Sequence, residues 1–123
     1  MNVQIDTSED YTVVTLQEEK LGGLVSPALK TKLLELNTEG VRNIILDMSA
    51  TRFCDSSGLS AILVGNRLCK NANGSFVLCA LQPMVSKLVA ISQLNNILNI
   101  TPTLAEAKDF VQMENVERDV END

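Results

Sequence analysis

The chain has 123 residues, a length that fits one domain and lets it bury roughly two thirds of its unfolded surface without a metal or disulfide staple. Aromatic residues make up only 3% of it, so the core has to be aliphatic. The formal net charge is −6 and the ten Lys and Arg residues are scattered, which argues against nucleic acid and against a bare anionic membrane, since both call for a basic patch.

Val3 and Ile5, then Tyr11, Val13 and Thr15 alternating with Thr12, Val14 and Leu16, flank the polar stretch "DTSED" and predict an antiparallel hairpin. "EEKLGG" reads as a loop, with Glu18 and Glu19 near Lys20 solvated. Ser26-Pro27 predicts a helix start, Ser26 as N-cap and Pro27 at the first helical position. Val25, Leu29, Leu33 and Leu36 share one face of that helix, and "NTEG" closes it. "VRNIILDMS" is the near-continuous apolar run expected of a strand buried on both sheet faces. A second helix is expected from Leu59 to Lys70, where Leu59, Ile62, Leu63 and Asn66 recur at helical spacing. Gly65 inside it costs about 1 kcal/mol against Ala and marks close packing on a neighbouring helix or a partner.

"NANG" breaks the second helix and "SFVLCA" forms another buried strand. Pro83 opens a helix carrying Val85, Leu88 and Val89, and a short strand is expected over Ile97 to Ile100. Pro102 and the capping box Thr103-x-x-Glu106 start the last helix, with Leu104, Ala107, Phe110, Val111 and Met113. Met84 and Met113 fall at core-like helical positions. The last residues, "ENVERDVEND", read as a frayed, solvated acidic end. The expected organisation is therefore one domain over residues 1–114 and an acidic tail over 115–123. The fold class is α/β: a mixed four- to five-stranded sheet, an N-terminal antiparallel hairpin and then parallel strands alternating with helices through right-handed crossovers.

No apolar run approaches the roughly 18 residues a membrane span needs. "MNVQIDTSED" lacks the basic and apolar regions of an export signal. Cys54, Cys69 and Cys79 follow no metal-like spacing and read as reduced thiols acting as small hydrophobes. A cytoplasmic location is expected. The chain contains no His, so it has no Ser-His-Asp triad, no Cys-His pair and no His-bearing zinc site. An enzyme built on the loops is a third-ranked reading, and no cofactor or metal is expected.

The stretch "FCDSSGLS" sits where a buried strand gives way to a helix, at the carboxyl ends of the strands where α/β proteins meet ligands and partners. Its glycine pattern is not that of a nucleophile elbow. It also lacks the Lys and glycines of a phosphate-cradling loop. Two readings remain on the residues alone. Asp55 or Ser56 caps the helix, or a serine in its first turn accepts a phosphoryl group from another enzyme. The helix dipole would tolerate that phosphate, and the added charge of about −1.5 to −2 would lie beside Asp55.

The run "NIILDMSATRFCDSSGLSAILVGNRLCKNANG" resembles the central motif of the STAS domain, the fold of bacterial anti-sigma factor antagonists. "NILNITPTLAEAKDF" is similar to the family's last strand and helix. The resemblance implies a non-enzymatic binding module in a switch cycle. An anti-sigma factor that is also a serine kinase phosphorylates a serine of this turn and loses its grip on the antagonist; a serine phosphatase reverses the mark. Mg²⁺, ATP and the catalytic groups belong to the kinase. It makes Ser57 the phosphoacceptor and Ser56 a cap or minor acceptor. Asp55 would position the turn, Gly58 would admit close approach, and Ser60, Ala61 and Val64 would offer contacts on the helix's exposed flank. Many members carry "G-x-L-D" before the first helix. Here Gly22 stands at that Asp, so either Gly22 and Gly23 accommodate a different partner or the chain has left the phosphoswitch lineage. The alternative is a STAS-type subunit of a lipid or anion transport complex, or of a stress-signalling scaffold, docking without a phosphoswitch. Homodimerisation is left open.

Overall fold

The computed structural model describes residues 1–122, Asn122 through its backbone alone. Strand β1 (Val3–Thr7) turns back into β2 (Thr12–Leu16) as the expected antiparallel hairpin, with Ile5 opposite Val14. Next come β3 (Lys20–Leu21), α1 (Ser26–Thr38), β4 (Ile44–Asp47), β5 (Phe53–Cys54) and α2 (Ser56–Asn71). The chain continues with β6 (Phe76–Cys79), α3 (Pro83–Ile91), a 3₁₀ turn (Leu94–Asn96), β7 (Asn99–Thr101) and α4 (Leu104–Asn122). Five strands form one sheet in the order β1-β2-β4-β6-β7, with every pairing after the hairpin parallel.

The apolar runs of β4 and β6 are buried along their whole length because both sheet faces are covered. Val14, Ile44, Leu46, Phe76 and Leu78 face one way, against α1, α2 and α3 through Leu29, Leu33, Ile62, Val85 and Val89. Val13, Ile45, Val77 and Cys79 face the other way, against Ala107 and Val111 of α4. Period-two alternation thus divides each strand between two cores. The capping box at α4 is half formed, with the Glu106 N–H donating to Thr103 Oγ1 at 3.2 Å.

The structure differs from several expectations. Ser26 is not the N-cap of α1. Val25 takes that place without a side-chain cap bond, and Ser26 lies within the first turn, fully buried. Residues 20 and 21, expected in a loop, form β3 in a two-residue parallel pairing with β5, too short to leave a periodic signal. Met84 and Met113 are 57% and 65% exposed rather than in the core. The expected boundary after residue 114 falls inside α4. Beyond it, Asn43 Nδ2 donates to Asn115 Oδ1, and the Arg118 guanidinium donates to Ser75 Oγ at 2.6 Å. These bonds tie the acidic segment to the strand-start end of the sheet.

Gly65 packs inward. A Cβ there would stand 2.6 Å from the Phe76 ring and 3.1 Å from Leu33 Cδ1. Gly65→Ala gains about 1 kcal/mol of helix propensity but overpacks a site where such insertions cost about 1–3 kcal/mol. Urea denaturation is expected to show net destabilisation, and Phe76→Leu should be less costly in the Gly65→Ala background than alone, because the two sites couple through one volume.

Candidate functional site

Two short strands build the turn after β5. β3 runs parallel to β5, placing Lys20 opposite Phe53 and Leu21 opposite Cys54, and the Asp55 N–H donates to the Leu21 carbonyl at 3.2 Å. That carbonyl then reaches α2. A Cβ on Gly58 would lie 2.4 Å from Leu21 O and 2.5 Å from Cys54 Sγ, so only glycine fits. The close approach that Gly58 admits is made by this chain's own β3.

Asp55 is the N-cap of α2 in extended conformation. Its Oδ1 accepts from the backbone N–H of Ser57 at 2.9 Å and of Gly58 at 3.1 Å, two first-turn donors that a helix leaves unpaired. The same Oδ1 accepts from the Ser57 hydroxyl. One carboxylate therefore closes the helix end and orients the serine. The Ser57 hydroxyl bond is the main influence holding the Asp55 carboxyl below the usual carboxylate range, followed by the Gly58 N–H, against an opposing effect of burial. The Ser57 N–H and the positive charge of Lys20 lower it further. Ser56 occupies the first helical position, exposed, and does not cap.

Ser26 is the residue sequence reasoning missed. Its hydroxyl donates to the Gly22 carbonyl at 2.7 Å, and its Oγ lies 3.1 Å from Ser57 Oγ. Each hydroxyl has one proton. With Ser57 donating to Asp55 and Ser26 donating to Gly22, a bond between the two serines forms only when one of them gives up its other acceptor. Ser57 Oγ thus points into the fold, toward Asp55 and Ser26, although the residue is half-exposed. The one sequence cue was Ser26 beside Pro27, and it suggested a cap.

Gly22 is buried against the same carboxylate. A Cβ at this position would stand 3.0 Å from Asp55 Oδ2 and 3.0 Å from Lys20 Cε, so the room that Gly22 leaves is used by Asp55 rather than by a partner. An acidic side chain here would set a second negative charge against Asp55. Gly23 is open to solvent, and Leu24 beside it is 99% exposed. The structure brings Gly22, Asp55, Ser57 and Gly58 together, with Gly23 adjoining. Ser60 is exposed and Val64 half-buried on α2, whereas Ala61, expected on the exposed flank, is fully buried.

Cys54 is half-buried, and burial, with the Asp55 charge second, pushes its thiol up to about 11. Burial raises Cys69 and Cys79 to about 12, so all three are protonated at neutral pH and poor nucleophiles. No group of His, Cys, Asp and Glu among the described residues could hold a metal ion, and no described helix is long and apolar enough to cross a membrane.

The family model described as the STAS domain matches residues 2–107. Among solved structures, the chain is similar to an anti-sigma factor antagonist from Mycobacterium paratuberculosis, with TM-score 0.81 and 20% identity over 90% of this chain and 93% of that one. It is similar to the Bacillus cell fate determinant SpoIIAA in its phosphorylated form, with TM-score 0.69 and 24% identity over 89% and 99% of the two chains. A third relative in structure is RsbS from Moorella thermoacetica in a serine-to-glutamate variant, with TM-score 0.76 and 22% identity over 96% and 99%. At these identities the likeness establishes the fold.

Two measurements test the turn. Gly58→Ala forces Leu21 or Cys54 to move and is expected to cost about 1–3 kcal/mol in urea denaturation, with the largest amide shift changes in β3 and β5. Asp55 titrates lower in the folded chain than in the unfolded one, so its stabilising effect is present above the unfolded value and is lost as pH falls through the folded value. Asp55→Asn keeps a capping side chain but does not titrate. Its stability deficit at neutral pH should therefore shrink in acid below about pH 4.

Proposed function

Because the chain belongs to the STAS domain family, we propose that it is an anti-sigma factor antagonist whose grip on an anti-sigma factor with serine kinase activity is switched by phosphorylation of Ser57. The observation that carries this reading is the bond from the Ser57 hydroxyl to the capping carboxylate of Asp55 at the surface end of α2. Phosphorylation replaces the hydroxyl hydrogen that Asp55 accepts and sets about two negative charges beside that carboxylate. Asp55 keeps its two backbone donors, and the helix N-terminus favours the phosphate by about 0.3–1 kcal/mol, so the modified domain stays folded. A partner burying the turn would have to desolvate a dianion next to an anion, which costs several kcal/mol. Each 1.4 kcal/mol is about tenfold in affinity, so the mark acts as a release switch.

The docking surface in this reading is the turn itself with Ser56 and Ser60, the half-buried Val64, and the open Gly23–Leu24 tip. Leu24, 99% exposed, supplies apolar area that a partner would remove from water. To be phosphorylated, Ser57 rotates out of its contacts with Asp55 and Ser26, and the kinase supplies ATP, Mg²⁺ and the catalytic groups. A serine phosphatase resets the cycle, and the setting is cytoplasmic.

Incubating the protein with an extract of its own cells and Mg-ATP, followed by phosphopeptide mass spectrometry, tests the switch. Phosphate is expected on Ser57 and absent from Ser57→Ala. If Ser57 carries none while a known STAS–kinase pair labels in the same format, the switch reading fails. Ser57→Asp is expected to weaken binding to the kinase that labels Ser57, once purified from that extract, by roughly tenfold or more, and Leu24→Ala to weaken it without affecting the fold.

A further inference from the structure

Helices α1, α2 and α3 cover one face of the sheet and α4 covers the other, yet α3 and α4 each turn a second apolar strip outward. On α3 the strip is Met84 and Ile91, with half-buried Leu88 between them and exposed Phe53 of β5 alongside. Together they line a shallow groove whose charged members are Lys87 and, at its far end, Arg52. On α4 the strip is Met113, Val116 and Val120, each more than half exposed and bordered by Asp109 and Glu117.

The two strips match in length and are opposite in charge. Met84 and Ile91 are seven residues apart, as are Met113 and Val120, which is two helical turns or about 10 Å. Between the ends, α3 places Lys87 and Leu88 where α4 places Val116 and Glu117, the three- and four-residue spacings from which helices build a packing seam. α4 carries six acids against two bases, and of those bases Arg118 is engaged with Ser75 and Asn115. Two α4 strips laid together would set acid against acid, and two grooves would set Lys87 and Arg52 against their own kind. Strip on groove sets both cations against Asp109 and Glu117, the arrangement that favours one partner and register over the others.

We propose that the outer strip of α4 in one copy docks in the α3–β5 groove of a second copy. The strip and the groove lie on opposite faces of the sheet, so the contact is heterologous and copies add head to tail instead of closing as a symmetric pair. It is small and rimmed by exposed charges, which makes it weak and sensitive to salt. It does not depend on phosphorylation of Ser57.

Sedimentation velocity on the full chain from low micromolar to millimolar concentration tests it. The mean mass is expected to rise past that of a dimer at low salt and to fall back at high salt. Met84→Glu spoils the groove and Val116→Glu spoils the strip; both positions are exposed, and circular dichroism checks that the fold is kept. Each variant alone should associate at least about tenfold more weakly, while an equal mixture should give a dimer that does not grow, one variant supplying the strip and the other the groove. Lys87→Glu and Glu117→Lys provide a second, milder pair with the same expectation: each weakens association alone, and the doubly changed chain regains it. A wild type that stays monomeric throughout would overturn the proposal, as would a mixture that fails to dimerise. A dimer surviving Met84→Glu but not Val116→Glu would show an α4–α4 contact instead, and the reverse pattern a groove–groove contact; either also overturns it.

Discussion

The Leu21 carbonyl fills the space where any residue but glycine at position 58 would carry its Cβ. That approach fixes two residues of β3 beside two of β5, and the rest of the turn depends on it. With β3 in place, Gly22 lies against Asp55, and the Gly22 carbonyl receives the backbone N–H and hydroxyl of Ser26 at the start of α1. Ser26 in turn reaches Ser57. A pairing of only two residues thereby couples the starts of α1 and α2, the two helices that pack most extensively on each other.

Asp55 gives this junction its chemistry. A capping carboxylate normally spends its acceptor capacity on backbone N–H groups. Here the Ser57 hydroxyl shares the same oxygen and is the main influence on the acid's titration. The side chain that closes the helix is therefore the one most affected by what happens to the serine, while its two backbone bonds stay available to hold the helix end. Gly22 keeps a second side chain away from Asp55. The helix end thus has two backbone bonds to Asp55 besides the one from the Ser57 hydroxyl, an arrangement set by the geometry of a single cap.

The rest of the molecule is asymmetric. Three helices share one face of the sheet, and α4 crosses the other alone, running on past the core contacts of Ala107 and Val111 to the bonds of Asn115 and Arg118. A helix that covers a face single-handed, held through Ala107 and Val111 and by the bonds of Asn115 and Arg118, has a long outer side left in water. α4 fills that side with acids and three apolar residues, and α3 shows an apolar edge with cations across the sheet.

The sequence by itself determined the order of the four helices and the strands of the main sheet, the hairpin, the two strands buried on both faces, the place of Asp55 at a helix start and the family's motif. These features are local: the period of the apolar residues, a cap next to the residues it caps, and Pro and Gly at the ends of elements. Only the tertiary structure decided the rest. Ser26 looked like a cap and proved to be a neighbour of Ser57, because the contact joins residues 31 positions apart and no spacing encodes it. The family resemblance implied an exposed Ala61, and Met84 and Met113 looked buried, because a helical period tells which residues share a face but not which face meets the core. Asn115 and Arg118 read as part of a solvated end because acidic composition shows only solubility, whereas their bonds to Asn43 and Ser75 arise from the way α4 crosses the sheet; Asp123, the end of that stretch, lies outside the described residues.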